Sequence, residues 1–414
     1  MKDGTTQIEF IENGSVTSPA GFLAAGVVAG FKKSKKSDFA MLYSQSDCNA
    51  AGTFTRNLFP AAPVQLCRKR IEERAKIRAV IVNSGVANAC TGKEGYENSC
   101  KSAQDAAAVL GLNENNILTA STGRIGVQLP MDILARGIRM AKDALSVNGG
   151  FDAAQAIMTT DTKPKSVAVK FELNGKTVTV GGMTKGAGMI APGMIVCRPH
   201  ATMLCFVTTD ADISADDLTA FLTGSVDQSF NRITVDNDMS TNDTCVVLAN
   251  GASGITIKAG TPEGDLFQNA LNAVTAALAR AMVMDGEGVT KFVAVEVNGA
   301  ATDQDARLCA RAIADSMLCK TAWFGCDPNW GRVLAAAGYS GAQFNPDMVN
   351  MDYDEMAVVR GGMDAGTPES TLCEVMKRRE FTIHLNLGAG DAEHTVWTSD
   401  ISHEYVTINA DYHT

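Results

Sequence analysis

A chain of 414 residues, 45% hydrophobic and 20% charged, has the composition of a globular protein and length enough for two or three structural units. Its net charge of −10 leaves no basic footprint, which argues against nucleic acid and anionic membranes as partners. Eleven cysteines with no C-x-x-C pair argue against a disulfide framework and against structural zinc. The N-terminus lacks the basic-then-apolar layout of a signal peptide and no apolar run reaches membrane-spanning length, so a cytoplasmic enzyme is expected.

In chain order, the first ninety residues read as strands and turns, with Ala79–Val82 an apolar strand entering Asn83-Ser84-Gly85. A helix follows that includes Ala106–Leu110 and stops at Gly111, and Pro130 opens another ahead of Ile133, Leu134, Ile138 and Ala141. Val167–Phe171 and Val178–Val180 flank Asn174-Gly175, a dipeptide suited to a tight hairpin because both central positions need positive φ. A long helix spans about Leu266 to Met284 and ends at Asp285-Gly286-Glu287-Gly288. After the strand Phe292–Val297, helices and strands are expected to alternate in a smaller α/β unit.

Several stretches carry chemistry. In Ala201-Thr202-Met203-Leu204 a threonine stands behind a small residue. Its hydroxyl can attack the Ala201 carbonyl, and hydrolysis of the resulting ester makes Thr202 a new N-terminus. The freed α-amine, with an unperturbed pKa of about 7.7–8.0, can then act as base for its own hydroxyl. Ser121-Thr122-Gly123 offers a hydroxyl and a backbone N–H that a turn could aim at one oxyanion. Met158–Thr162 concentrates hydroxyls and a carboxylate that suit an amino-acid substrate or a simple cap or turn. Glu287, between two glycines, is placed to pair with an ammonium group. Gly325–Arg332 crowds Cys, Asp, Asn, Trp and Arg between glycines and reads equally as a site wall or a packed turn. The five histidines, four of them in the last thirty-one residues, form no metal motif, and no resident metal is expected.

In this order the motifs resemble the ornithine acetyltransferase family, the bifunctional glutamate N-acetyltransferases of arginine biosynthesis. The resemblance runs nearly end to end, through Asn83–Gly92, Ser121–Gly123, Ala156–Thr162, Lys185–Ile190, Ala201–Leu204, Asp285–Gly288, Gly325–Arg332 and Tyr405–Thr414. It implies an α+β sandwich resembling N-terminal-nucleophile hydrolases but with its own connectivity, residues 1–288, completed by a smaller α/β unit, residues 289–414, whose tail returns to the active site. It implies cleavage between Ala201 and Thr202 into two chains that stay together, in a heterotetramer or larger assembly. Thr202 would be the nucleophile, Thr122 and Gly123 the oxyanion hole. Thr159 or Thr160, Lys185, Glu287, Asn409 and Thr414 would contact the substrate. N-acetylornithine would donate acetyl and glutamate accept it. No tightly bound cofactor is implied, and acetyl-CoA stands open as a second donor.

One departure lies beside the expected scissile bond. The family runs K-G-x-G-M-I-x-P-x-M directly into A-T-M-L, whereas here Ile195-Val196-Cys197-Arg198-Pro199-His200 stands between Met194 and Ala201. A short insertion is cheap in loop entropy, and a tolerated loop is the expectation. The alternatives are an uncut, inactive homologue, or a self-processing amidase or aminopeptidase in which water replaces glutamate as acyl acceptor.

Overall fold

The computed structural model describes residues 7–191, 195–196 and 203–411, with Ile195 and Val196 as backbone alone. They fall into two compact units, residues 7–231 with 239–282, and residues 232–238 with 283–411.

The larger unit runs β1 (Glu9–Phe10), β2 (Phe22–Val27), β3 (Phe39–Phe54), α1 (Ala62–Glu72), β4 (Ile77–Val86), α2 (Gly92–Leu110), β5 (Ile117–Arg124), α3 (Met131–Ala144), α4 (Gly150–Ala156), β6 (Lys165–Leu173), β7 (Lys176–Lys185), β8 (Ile195–Val196), β9 (Leu204–Thr209), β10 (Asp212–Ile213), α5 (Ala215–Gln228), β11 (Thr244–Ala249), β12 (Thr256–Ile257) and most of α6 (Pro262–Met284). Its main sheet has the order β1-β6-β7-β9-β11-β3-β4-β5. Sixteen-residue β3 joins two halves: Phe39–Ser44 pair with β2 and Phe39–Tyr43 with β4, while Asn49–Phe54 pair with β11.

The period of two along each strand builds the layers. Phe39, Met41, Ala79, Ile81 and Ile117 pack with Ala103, Ala106 and Ala107 of α2 and Leu134, Ile138 and Ala141 of α3. The intervening residues Ala40, Leu42, Val80, Val82, Leu118 and Ala120 turn the other way, into a core shared with Leu204, Phe206, Val246 and Leu248 of the second half. Beyond that half, Val274 and Leu278 of α6 lie over Gly182 of β7, and Phe221 of α5 meets Phe267 of α6 with ring centroids 5.1 Å apart. The larger unit is therefore a layered α+β sandwich.

Three local expectations hold: α2 ends at Gly111 in the left-handed region (φ 69°), Pro130 precedes α3, and Asn174 and Gly175 take φ of 53° and 73° in the β6–β7 turn. The first ninety residues are not all strand and turn. Helix α1 lies among them, opened by Pro63 in its first turn and held by buried Val64, Leu66, Cys67 and Arg70.

The smaller unit contains β13 (Phe292–Ala300), α7 (Asp303–Asp315), α8 (Met317–Phe324), α9 (Trp330–Gly338), β14 (Asn350–Tyr353), β15 (Met356–Arg360), β16 (Met363–Asp364), α10 (Glu369–Met376), β17 (Glu380–Asn386), β18 (Ala392–Ser399) and α11 (His403–Asp411). Its sheet order is β16-β15-β14-β17-β13-β18. Strands and helices do not alternate here as expected. Three helices follow β13 in succession, and β14–β16 form an antiparallel meander, because Asp354 and Gly361-Gly362 supply the positive-φ turns that keep these strands adjacent. The unit also recruits 232–238 from earlier in the chain: Ile233 bridges Trp397, and Thr234 Oγ1 donates to Asp315 at 2.7 Å.

Candidate active site

Strands β4 and β5 run parallel and in register until Gly85 meets Gly123, where the ladder breaks. Both glycines adopt positive φ, 119° and 126°, and a Cβ on Gly123 would lie 2.4 Å from the Gly85 carbonyl carbon. Only a residue without a side chain fits that approach. Thr122 and Gly123 therefore sit at the irregular end of β5, inside the strand, where a free turn was expected. A polar network fixes the place. Ser121 Oγ donates to Asn83 Oδ1 at 2.6 Å, Asn83 Nδ2 to the Val86 carbonyl at 2.8 Å, and Asn242 Nδ2 to the carbonyls of Ala87 and Ser121, each at 2.7 Å.

Lys185 closes β7 and is paired with Leu204, the first residue of β9, so the antiparallel register alone sets it beside the chain that follows residue 202. Its side chain is only 4% exposed, and its Nζ donates to Thr159 Oγ1 at 2.8 Å and to Thr122 Oγ1 at 3.4 Å. Thr122, Thr159 and Lys185, three expected site residues from separate motifs, are thus brought together. Thr160 is half-buried in the same bend.

Asp161, in the stretch that suits an amino-acid substrate or a simple cap or turn, is a buried counter-charge. Its carboxylate is fully buried, accepting Lys165 Nζ at 2.7 Å, the Gly186 amide at 2.7 Å and the Thr159 amide at 3.0 Å, with Lys185 Nζ 4.0 Å away. Burial alone would raise its pKa; Lys185 and Lys165 outweigh that and hold the carboxyl well below the usual range. It anchors cations beneath the site. Lys32 also belongs to this electrostatic neighbourhood: burial, only partly countered by Asp38 and aided by the charge of Lys185, lowers its pKa to about 8.

Two further residues escaped the sequence reading. Asn242 is the clamp just described, and the fully buried Asp243 follows it. Four consecutive polar residues, Thr241 to Thr244, leading into the apolar run Cys245–Ala249 are the signal that marks them.

In the smaller unit Glu287 is buried in the turn after α6, and Asn409 Nδ2 donates to its Oε2 at 2.7 Å. The two expected residues, 122 apart in sequence, are joined because the turn is stapled to the C-terminal region: Ser402 Oγ donates to the Gly288 carbonyl at 2.6 Å, and the Thr290 and Lys291 amides to Asp400 Oδ1 at 2.9 Å. Gly325–Asn329 is the turn between α8 and α9, Trp330–Arg332 open α9, and Asp327, Asn329 and Trp330 line a cavity of about 420 Å³ with Asp364 and Glu369. Asn329 caps α9 through the Arg332 amide, and Trp330 packs against the unit's own core. Of the inserted segment, Ile195 and Val196 pair with Phe54 and Thr53 of β3, so this part is an edge strand where a loop was expected. Ala201, Thr202 and Thr414 lie outside the described residues.

The model of the ArgJ family matches residues 23–414. The chain belongs to the ArgJ family. It is similar to the arginine biosynthesis bifunctional protein ArgJ of Symbiobacterium thermophilum, 49% identical over 97% of this chain and 99% of that one. It is also similar to the glutamate N-acetyltransferase of Methanocaldococcus jannaschii, 47% identical over 97% of this chain and 99% of the relative. A solved chain of ornithine acetyltransferase complexed with ornithine from Mycobacterium tuberculosis is 42% identical, covering 46% of this chain and all of its own, with a TM-score of 0.43. No helix among the described residues is long and apolar enough to cross a membrane.

Proposed function

We propose that this ArgJ-family chain is a glutamate N-acetyltransferase that moves acetyl from N-acetylornithine to glutamate through an ester on Thr202. The observation that carries the reading is the meeting of Lys185, Thr159 and Thr122 beside the glycine pair Gly85–Gly123, with Lys185 in register with the start of β9.

Maturation comes first. Thr202 Oγ adds to the Ala201 carbonyl, collapse breaks the C–N bond and frees the Thr202 α-amine as the amide becomes an ester, and water then cleaves the ester to the Ala201 carboxylate and the Thr202 hydroxyl. The two chains stay associated, as expected of a heterotetramer or larger assembly in the cytoplasm. In the first half-reaction the amine takes the hydroxyl proton while Oγ adds to the acetyl carbonyl. The Thr122 hydroxyl and the Gly123 N–H receive the oxyanion. Collapse expels ornithine, whose leaving nitrogen takes the proton back. Glutamate then attacks the acetyl ester with its α-amine, and N-acetylglutamate departs with Thr202 restored. The Lys185 ammonium suits a substrate carboxylate, and Glu287 with Asn409 suits a substrate ammonium or amide. Thr414 and either Thr159 or Thr160 complete the contacts, and acetyl-CoA serves as a second acetyl donor.

The test combines two measurements on purified protein. N-terminal sequencing of the smaller fragment is expected to begin Thr-Met-Leu-Cys, and incubation with N-acetylornithine and glutamate is expected to release ornithine. Cleaved protein that releases no ornithine would defeat the reading.

A further inference from the structure

The connection between β2 and β3 carries Lys32-Lys33-Ser34-Lys35-Lys36, four cations in five residues with no acid among them, in a chain whose net charge is −10. In isolation such a run is solvated surface. Here the loop is anchored at a particular place. Asp38, fully buried, accepts the amides of Ala29 at 2.6 Å, Gly30 at 3.0 Å and Lys32 at 2.9 Å, and its own carbonyl accepts the Ser84 amide at 2.9 Å. Arg136 Nε, on α3, donates to the Ala29 carbonyl at 3.0 Å. Phe31 lies against Gly85, where a Cβ would come within 3.3 Å of the Phe31 Cβ and carbonyl oxygen. The lysines that follow Phe31 are therefore pinned beside the Gly85–Gly123 corner. Arg124, the residue after Gly123, is exposed on the corner's other strand.

Lys32 is half-buried, and its Nζ donates to the Ser37 carbonyl at 2.8 Å. Burial weighs most on its charge, which also responds to Asp38, Lys185, Asp161 and Lys36, so Lys32 links the cation of the site with the tip of the loop. Lys33, Lys35 and Lys36 are exposed, and neither they nor Arg124 form an ion pair among the described residues. The Lys35 amide reaches back to the Lys32 carbonyl at 3.4 Å, and Lys35 takes φ of 58°. Glycine is the less strained choice in that region, so the turn holds a charge where its backbone favours no side chain.

We propose that this loop, together with Arg124, is the subsite for the phosphates of acetyl-CoA, with the thioester at the Thr122–Gly123 corner and the pyrophosphate and ribose phosphate among Lys33, Lys35, Lys36 and Arg124. This rests on the reading above of that corner as the acetyl-receiving site with acetyl-CoA as a donor, and deepens it by separating the two donors. N-acetylornithine and glutamate carry no phosphate and make no use of the loop. Coenzyme A carries its negative charges at the end of the pantetheine arm remote from sulfur, so the acetyl group reaches the corner while the phosphates stay at the rim. Lysine serves such a rim as a point charge on a flexible stem. Exposed cations give a modest, salt-sensitive attraction, which suits a carrier that must leave after each transfer.

The test removes three of these charges together, as Lys33→Gln, Lys35→Gly and Lys36→Gln, the glycine relieving the turn rather than straining it. Glutamate acetylation is measured with acetyl-CoA, with S-acetylpantetheine, which is the thioester without the phosphates, and with N-acetylornithine. With acetyl-CoA, kcat/KM is expected to fall about 10-fold or more through KM, as three exposed lysine–phosphate pairs together would give. With the other two donors it is expected to stay within about twofold. Added salt should raise the acetyl-CoA KM of the wild type more than that of the variant. Calorimetry with free coenzyme A reads the subsite without turnover, and binding should weaken about 10-fold or more in the variant. Equal losses with all donors, an unchanged acetyl-CoA KM, or a wild type that binds coenzyme A no better than pantetheine would each overturn the proposal. A wild type that releases ornithine from N-acetylornithine but neither binds coenzyme A nor takes acetyl from it refutes the subsite alone. Failure with N-acetylornithine refutes the proposed donor instead, and coenzyme A binding still decides the subsite.

Discussion

Replacing Asp161 by Asn should be among the most damaging neutral-size changes in the larger unit. The carboxylate faces Lys165 Nζ at 2.7 Å and Lys185 Nζ at 4.0 Å with no solvent on any of the three groups, whose side chains are 0%, 2% and 4% exposed. At an effective dielectric of about 20 the longer pair alone represents about 4 kcal/mol of attraction, much of it cancelled by desolvation. Substitution does not refund that desolvation, because both lysines stay buried. The applicable figure is the one for breaking a buried pair from one side, about 3–5 kcal/mol. Since Asp161 also accepts the Gly186 and Thr159 amides through separate oxygens, one of which becomes an NH2 donor, the upper part of that range is expected. That is a third or more of a typical stability of about 5–15 kcal/mol. The assay is urea unfolding of the larger unit in the uncut Thr202→Ala background, repeated across pH. A carboxyl whose folded pKa is depressed contributes stability that is complete above its unfolded value of about 3.9 and is lost as pH falls below it. The gap between parent and Asp161→Asn should therefore be widest at neutral pH and close progressively below about pH 4. A variant within about 1 kcal/mol of its parent at pH 7 would refute the account of Asp161 as anchor of the two lysines.

Thr122→Ala removes one oxyanion donor, and kcat for acetyl transfer should fall on the order of 10²–10³ with KM little changed, as steady-state ornithine release would show. Gly123→Ala must open the 2.4 Å approach to Gly85 at φ 126°, so both self-cleavage and melting temperature should drop, where Thr122→Ala leaves the latter within about 2 °C. Glu287→Gln keeps the Asn409 contact geometry but loses the charge; KM for N-acetylornithine and for glutamate should rise more than kcat falls, measured in separate donor and acceptor titrations. Lys320, fully buried and donating to Thr398 Oγ1 and the Ser399 carbonyl, has its pKa lowered by burial from 10.5 to about 8. Below pH 8 the folded state must hold this buried charge; between about 8 and 10.4 the unfolded state binds more protons, so stability should rise with pH across that window. Lys320→Met should lack this rise in acid-to-base denaturation series.

What the sequence disclosed depended on how far apart the physics acts. Gly111, Pro130 and Asn174-Gly175 obey steric rules confined to a few neighbouring residues, and each behaves as read. Thr122 and Lys185 were expected as site residues from their motif context, but what brings them together is the register of β7 on β9 and the break between β4 and β5, and no local window contains those pairings. The same limit bears on one reading left open and one that the fold overturns. A carboxylate between threonines looks like a ligand group until β6 and β7 bring Lys165 and Lys185 over it, and only then is it a buried counter-charge. Three helices in succession after β13 defeat a reading based on alternation, because β13 pairs with β17, more than eighty residues on. Asn242 and Asp243 are the instructive omission. They belong to no recognisable catalytic pattern, yet parallel pairing sets Asp243 beside Met203, and Asn242 reaches Ser121 across 121 residues. Polar residues opening an otherwise apolar central strand are costly to bury, so their position is itself evidence that something polar must meet them there. Here Asn242 meets backbone carbonyls of the glycine corner, while burial holds its neighbour Asp243 above the usual carboxylate range against the pull of the Met203 amide and the charge of Lys185.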